Sequence, residues 1–196
     1  MTELDADGWP VDLRGVTESV VTTRGPAGRW NVAALGLAAA TDGPVTARTW
    51  GRTRTRRNFR ERGGGYVQFT RDPVTFVEAA CSVREEPDPV LDGVDAWVRV
   101  TAERVDAGET EGTGWIEWAL RPVERRVLDR VVPTTNRGHA AVVEATVAAS
   151  RLDVPAYDAA ALRERIAYFE TVVETCGGER ERAAWERFED LVDWRA

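Results

Sequence analysis

Short runs rich in β-branched and aromatic side chains, separated by glycine- and proline-containing turns, fill residues 16–120. The clearest run, residues 16–23, stops at Arg24-Gly25-Pro26-Ala27-Gly28, which is a strong turn signal. Further strands are predicted at residues 30–37, 45–50, 66–70, 96–103 and 115–120. Six strands joined mostly by short turns must cover their edges. The pattern therefore predicts a small closed, or nearly closed, antiparallel β-barrel.

Other segments carry helix signals. Asp72-Pro73 predicts a short helix through Ala80, because aspartate caps free amides and proline suits the first helical position. Another helix is predicted near residues 138–152. In the tail, one apolar stripe ends at Gly177-Gly178 and a second stripe follows, which predicts a C-terminal helical hairpin. The two stripes consist of Leu162, Ile166, Phe169, Val173 and Cys176, and of Trp185, Phe188 and Val192. We expect a split-barrel domain at residues 1–135 and, at 136–196, a helical extension packed on the barrel.

The charge composition is unusual. Lysine is absent, so all 26 basic residues are arginine, against 33 acidic residues, and the net charge is −7. Acidity with lysine depletion is typical of proteins from salt-loving archaea, and a negative surface disfavours non-specific binding to nucleic acid. Residues 48–62 run against this charge, because seven of these fifteen residues are arginine.

Location and metal content are predicted from what the sequence lacks. No apolar run approaches the ~20 residues of a membrane span, and the acidic residues 1–7 lack the layout of a secretory signal. We therefore expect a cytoplasmic protein. Cys81 and Cys176 lie far apart and suggest neither a disulfide framework nor a zinc site, so we interpret them as small buried apolar residues. No grouping has metal-ligand spacing.

The arginine-rich segment is suited to a phosphate. Arginine offers a rigid charged fork that matches phosphate oxygens. Thr53 and Thr55 add hydroxyls on one side of a predicted extended turn, Asn58 adds an amide donor, and Gly51 permits close approach of the backbone. Together these residues predict a pocket for one phosphate at the end of a strand.

Two other interpretations of this segment stay open from the residues alone. Charge runs are often solvated surface turns held by salt bridges. The patch could also contact nucleic acid, although it is short and has only Trp50 and Phe59 as nearby stacking side chains.

Several motifs, in this order, resemble an archaeal family of unknown function that belongs to the flavin-reductase-like, FMN-binding split-barrel proteins. The motifs occupy residues 16–23, 30–36, 52–58, 69–76, 136–145 and 150–152. The resemblance implies a homodimer with FMN near the subunit interface. It also implies that Asn31-Val32-Ala33 lies along the flavin and that Thr53-Arg54-Thr55-Arg56-Arg57-Asn58 takes the phosphate. The predicted FMN-binding residues are Asn31, Val32, Ala33, Arg48, Arg52, Thr53, Thr55 and Asn58.

The leading hypothesis is an FMN-binding flavoprotein that acts as an oxidoreductase on an unknown substrate. The alternatives are a non-redox split-barrel protein that binds another phosphorylated ligand, and a nucleic-acid-binding protein that uses the arginine-rich segment. No residue can be named as a catalyst. His139 is the only histidine and lies at a predicted helix start, where a structural role is more common. Trp30 and Trp50 flank the predicted site on neighbouring strands.

Overall fold

A computed structural model describes residues 8–39, 43–110 and 112–196. The acidic stretch at residues 1–7 and the turn expected at Thr41-Asp42 lie outside the described residues. Within the described ranges, no helix has both the length and the apolar character needed to cross a membrane. The strands are β1 (Val16–Arg24), β2 (Trp30–Ala38), β3 (Val45–Trp50), β4 (Gly64–Phe69), β5 (Arg84–Glu86), β6 (Ala96–Thr110) and β7 (Thr113–Val127). The helices are α1 (Arg54–Arg62), α2 (Pro73–Cys81), α3 (Arg137–Ala149), α4 (Ala159–Cys176) and α5 (Glu179–Leu191).

Six strands close into an antiparallel barrel. They follow the order β1-β4-β6-β7-β3-β2, and β2 pairs back onto β1 along its whole length. The short strand β5 adds to β2. The predicted barrel is confirmed, and closure removes the unpaired edges that an open sheet would expose.

The barrel interior is filled by alternate residues of each strand. Val21, Val67 and Val98 are fully buried there, as expected when every second side chain of a strand points to one face. Leu37 and Trp118 complete the same cluster. This alternation also identifies the outer face, because the residues between the core positions must point away from the barrel interior.

The polar turn predicted at residues 106–113 is wrong. Strand β6 continues to Thr110 and β7 restarts at Thr113, so that Thr110 pairs with Thr113. The outer part of this hairpin is exposed to solvent, for example at Val105 and Asp106. The polar residues there therefore reflect solvent exposure of a two-stranded ribbon and not a change of chain direction.

The extended turn predicted around Thr53 and Thr55 is also wrong, because the segment forms helix α1. The Thr53 hydroxyl caps the helix by accepting a hydrogen bond from the Arg56 amide at 3.2 Å. Gly63 ends it with φ of 72°, the left-handed conformation that favours glycine. Arginine is a good helix former, so three consistent signals were present in the sequence.

Strand β4 crosses its neighbours very closely at Gly64. A Cβ atom there would lie 2.1 Å from the carbonyl oxygen of Val100, which is backbone and cannot rotate away. We expect Gly64→Ala to lower the free energy of unfolding by about 1–3 kcal/mol through overpacking. Gly114→Ala is the matched control, because its Cβ would meet nothing nearer than 3.8 Å. Equal urea midpoints for the two variants would contradict this.

The helices form a core of their own. The chain divides into two compact units, one with residues up to Arg71 and 84–130, the other with residues 72–83 and 131–196. Both predicted tail stripes are confirmed as helices. They contribute Leu162, Ile166, Val173, Trp185 and Phe188 to the core of the helical unit. The helix predicted after Asp72 is confirmed as α2, and it joins this core through Val77.

Both cysteines are half-buried and free, rather than fully buried as expected. Burial raises the pKa of the Cys81 thiol from 9.0 to about 11. The folded protein therefore keeps a proton that the unfolded chain releases, so the free energy of unfolding should fall as pH rises from about 9 to about 11. Urea unfolding at several pH values measures this slope. Cys81→Ala should reduce it; an unchanged slope would contradict the assignment.

Candidate phosphate and cofactor site

Helix α1 begins between the end of β3 and the short strand β5. Arg56 Nη1 donates to the carbonyl oxygen of Gly51 at 2.7 Å, just after β3. Arg54 Nη1 donates to Glu85 Oε1, in β5, also at 2.7 Å. Further along the helix, Phe59 is 1% exposed and packs its ring against Trp118, with centroids 5.5 Å apart. The helix is therefore anchored in the barrel core, and its first turn is fixed beside β2 and β3.

A buried polar pair lies at this helix start. Asn31 Nδ2 donates to Thr55 Oγ1 at 3.5 Å, and the two residues are only 5% and 4% exposed. Among the described residues, the Thr55 hydroxyl proton finds no acceptor and Asn31 Oδ1 finds no donor. Buried polar groups normally satisfy their hydrogen bonds, so this unused capacity fits a polar ligand. The structure thus brings together two of the predicted FMN-binding residues.

The backbone adds donors at the same place. With Thr53 as cap, the Arg56 amide is satisfied, but the N–H groups of Arg54 and Thr55 have no acceptor within the helix. The first turn carries no acidic residue. Arginines close to the positive end of a helix dipole are unfavourable unless an anion is near. Glu85 supplies part of that negative charge to Arg54, and a phosphate would supply more.

The barrel wall is split next to this helix start. Strand β2 pairs with β5 at residues 30–32 and with β3 at 37–38. Residues 33–36 pair only with β1 among the described strands, so their other edge is free. Ala33 lies on this edge and packs against the barrel core, whereas Val32 is buried on the opposite face. A flat ligand could meet backbone N–H and C=O groups here.

Asn58 performs a different task from the one predicted. Its Nδ2 donates to the carbonyl and hydroxyl oxygens of Thr23 at 3.3 and 3.0 Å. Its Oδ1 accepts from Arg57 at 3.3 Å. With 1% exposure, this amide locks helix α1 to strand β1.

Arg48 and Arg52 do not join the Asn31–Thr55 pair. Arg48 follows the core residue Ala47 in β3 and so lies on the outer face. Its Nη2 is 3.1 Å from Glu117 Oε1, and its guanidinium stacks 4.1 Å from the ring centre of Trp115. Arg52 is exposed and forms no ion pair with the described residues.

The arginine-rich segment is not a continuous basic surface. Arg48, Arg54 and Arg60 each pair with a glutamate: Glu117, Glu85 and Glu61 respectively. Such compensation lowers the net positive charge offered to a polyanion and disfavours the nucleic-acid interpretation.

Sequence reasoning missed the contribution of the β1–β2 turn and of β5. Together with Arg54 and Arg57 they enclose a cavity of about 190 Å³ beside the helix start. The other lining residues are Gly25, Pro26, Ala27, Arg29 and Glu85. Only the predicted turn at residues 24–28 signalled part of this wall. No group of three or more histidine, cysteine or acidic residues suited to a metal occurs in the described ranges. His139 lies in α3, where its amide donates to the Asn136 cap.

A closed six-stranded antiparallel barrel, split beside β2 and followed by helices, defines the flavin-reductase-like split-barrel class. The chain belongs to DUF447, a family of proteins of unknown function. The family's N-terminal domain matches residues 17–129 and its second part matches residues 136–190. The family resemblance inferred from the motifs is thereby confirmed.

Solved structures share the fold. An FMN-bound DUF447 protein from Methanosarcina mazei is similar with a TM-score of 0.78 and 23% identity, over 92% of this chain and 96% of that chain. Component B of nitrilotriacetate monooxygenase from Bacillus cereus scores 0.46 at 16% identity, over 68% and 85% of the two chains. The styrene monooxygenase flavin reductase of Pseudomonas putida scores 0.39 at 14% identity, over 61% and 93%.

Proposed function

We propose that this protein is a flavoprotein that binds FMN, with the phosphate at the start of helix α1. The observation that carries the proposal is the buried Asn31–Thr55 pair, whose hydrogen-bonding capacity is unused beside two free helix amides. A phosphate oxygen could accept from the Thr55 hydroxyl and from the N–H groups of Arg54 and Thr55. The FMN bound to the Methanosarcina mazei protein of the same family supports this choice of ligand.

The free edge of β2 suits the flavin ring. Residues 33–36 would present backbone groups to the ring, and the adjacent barrel core would shield one side from water. Bound flavin supplies hydride and single-electron transfer, while the protein binds it, orients it and limits solvent access. The proposed activity is therefore an oxidoreductase reaction whose substrate the described residues do not identify.

A homodimer with FMN near the subunit interface is part of the proposal. It rests on the resemblance of the motifs to split-barrel flavoproteins. Sedimentation equilibrium should then give twice the chain mass of 21.7 kDa. A monomer at all concentrations would exclude an interfacial site without excluding FMN binding.

Comparison of FMN with riboflavin tests the phosphate assignment. The two ligands share the ring and ribityl chain, and only FMN carries the phosphate. We expect FMN to bind at least about tenfold more tightly than riboflavin, because charge-assisted hydrogen bonds are lost with the phosphate. Titration followed by flavin fluorescence measures both constants. Equal affinities, or no binding of either, would contradict the proposal.

Arg54 and Arg60 provide a matched pair of arginines on the same helix. Each forms an ion pair with a glutamate, but Arg54 stands in the first turn and Arg60 in the last. We expect Arg54→Ala to weaken FMN binding about three- to tenfold by removing a charge near the phosphate. Arg60→Ala should leave the affinity unchanged. Equal losses in both variants would indicate a general charge effect instead of a local contact.

A further inference from the structure

A second and larger cavity lies on the other side of the β1–β2 turn. Its volume is about 570 Å³, within the range of pockets that bind small molecules. Gly25 and Pro26 of the turn line both this cavity and the smaller one beside helix α1. The remaining wall comes from the end of α1, the start of β4 and the middle of β6. It is formed by Arg24, Gly28, Trp30, Arg62, Gly63, Gly64, Gly65, Tyr66, Arg99, Val100 and Thr101.

The charge of the larger cavity runs against that of the protein. Arg24, Arg62 and Arg99 line it, and no acidic residue does. Arg99 Nε contacts Glu124 Oε2 at 3.3 Å, which leaves its two terminal nitrogens available. Arg24 and Arg62 form no ion pair with the described part of the chain. Three guanidinium groups around one cavity, in a chain of net charge −7, indicate an anionic ligand.

Aromatic rings line the same cavity. Trp30 and Tyr66 meet edge to face with ring centres 5.4 Å apart, and both are half-buried. Tyr66 is held from its other side by Trp97 at 5.6 Å. The rings are therefore fixed by their neighbours and still partly open to the cavity. The run Gly63-Gly64-Gly65 contributes only backbone to the wall, so a flat ligand can approach it closely.

We infer that this cavity is a second ligand site, which binds a phosphorylated aromatic compound of about nucleotide size. The arginines would take the phosphate groups and the Trp30–Tyr66 pair would contact the ring system. The inference does not depend on FMN binding, because none of the side chains assigned to the FMN phosphate lines this cavity. In a flavoprotein, a ligand here would be separated from the first site only by the β1–β2 turn.

Calorimetric titration with ADP and with inorganic pyrophosphate, at low salt, tests the inference. We expect both probes to bind the wild-type protein. The double variant Arg24→Ala/Arg62→Ala should lose at least about tenfold in affinity for each probe, because two charged partners are removed. Arg104→Ala/Arg121→Ala is the control, since it removes the same charge from exposed positions of β6 and β7 outside the cavity. It should retain both affinities.

A third variant separates the ring from the phosphates. Trp30→Leu should weaken ADP binding severalfold while pyrophosphate binding stays unchanged, and thermal unfolding checks that the variant folds. The inference is overturned if wild-type protein binds neither probe at about 1 mM. It is also overturned if both double variants lose affinity equally. Loss of FMN binding, together with ADP binding, in Arg24→Ala/Arg62→Ala would overturn the separation of the two sites and assign this cavity to FMN.

Discussion

Replacing Thr55 with valine is expected to weaken FMN binding by about ten- to a hundredfold. Valine has nearly the same shape as threonine but lacks the hydroxyl group. The variant therefore removes the donor proposed for the phosphate and also leaves Asn31 Nδ2 without its acceptor, because that atom donates to Thr55 Oγ1. Fluorescence titration with FMN gives the loss directly. Riboflavin affinity should change much less, because riboflavin carries no phosphate.

Thr146 provides the control for this substitution. It is buried to the same degree as Thr55, at 4% exposure, but it lies in α3, where its hydroxyl donates to the carbonyl of Val143. Thr146→Val should leave the FMN affinity unchanged. If the two valine variants bind FMN equally well, the phosphate does not lie at the start of helix α1.

Replacing Phe59 with alanine is expected to lower the free energy of unfolding by about 3–5 kcal/mol. Phe59 is the largest fully buried side chain contributed by helix α1, and it fills the barrel interior against Trp118. Its removal would leave a cavity in a core whose closed wall cannot easily collapse. Urea unfolding followed by circular dichroism measures the loss.

The same variant tests the link between stability and binding. Because Phe59 anchors the helix that carries Thr53, Arg54 and Thr55, Phe59→Ala should also weaken FMN binding. Phe59→Leu keeps most of the volume and should retain both stability and binding to a larger extent. A loss of less than about 1 kcal/mol for Phe59→Ala would show that the helix is held mainly by other contacts.

The strands and tail helices were predictable because their patterns are local. β-branched runs bounded by glycine and proline identified β1, β2 and β3, and apolar spacing identified α4 and α5. Two errors share a physical origin. In the β6–β7 hairpin and in α1, charged residues were interpreted as turn signals, although both segments are regular structures with solvent-exposed faces.

The candidate site was only partly accessible from sequence. The motifs indicated Asn31 and Thr55, which the fold brings to 3.5 Å. The pairing of Arg48 with Glu117, and of Asn58 with Thr23, depends on strand register and on a helix that the sequence reading did not recognise. Strand β5, only three residues long, left no detectable pattern, and yet its Glu85 holds Arg54 at the helix start.

A crystal structure of the protein with FMN tests the central claim most directly. Our account predicts a phosphate oxygen within hydrogen-bonding distance of Thr55 Oγ1 and of the Thr55 amide, with the flavin ring along the free edge of β2. FMN with its phosphate among Arg24, Arg62 and Arg99, or no bound FMN at saturating concentration, would contradict it.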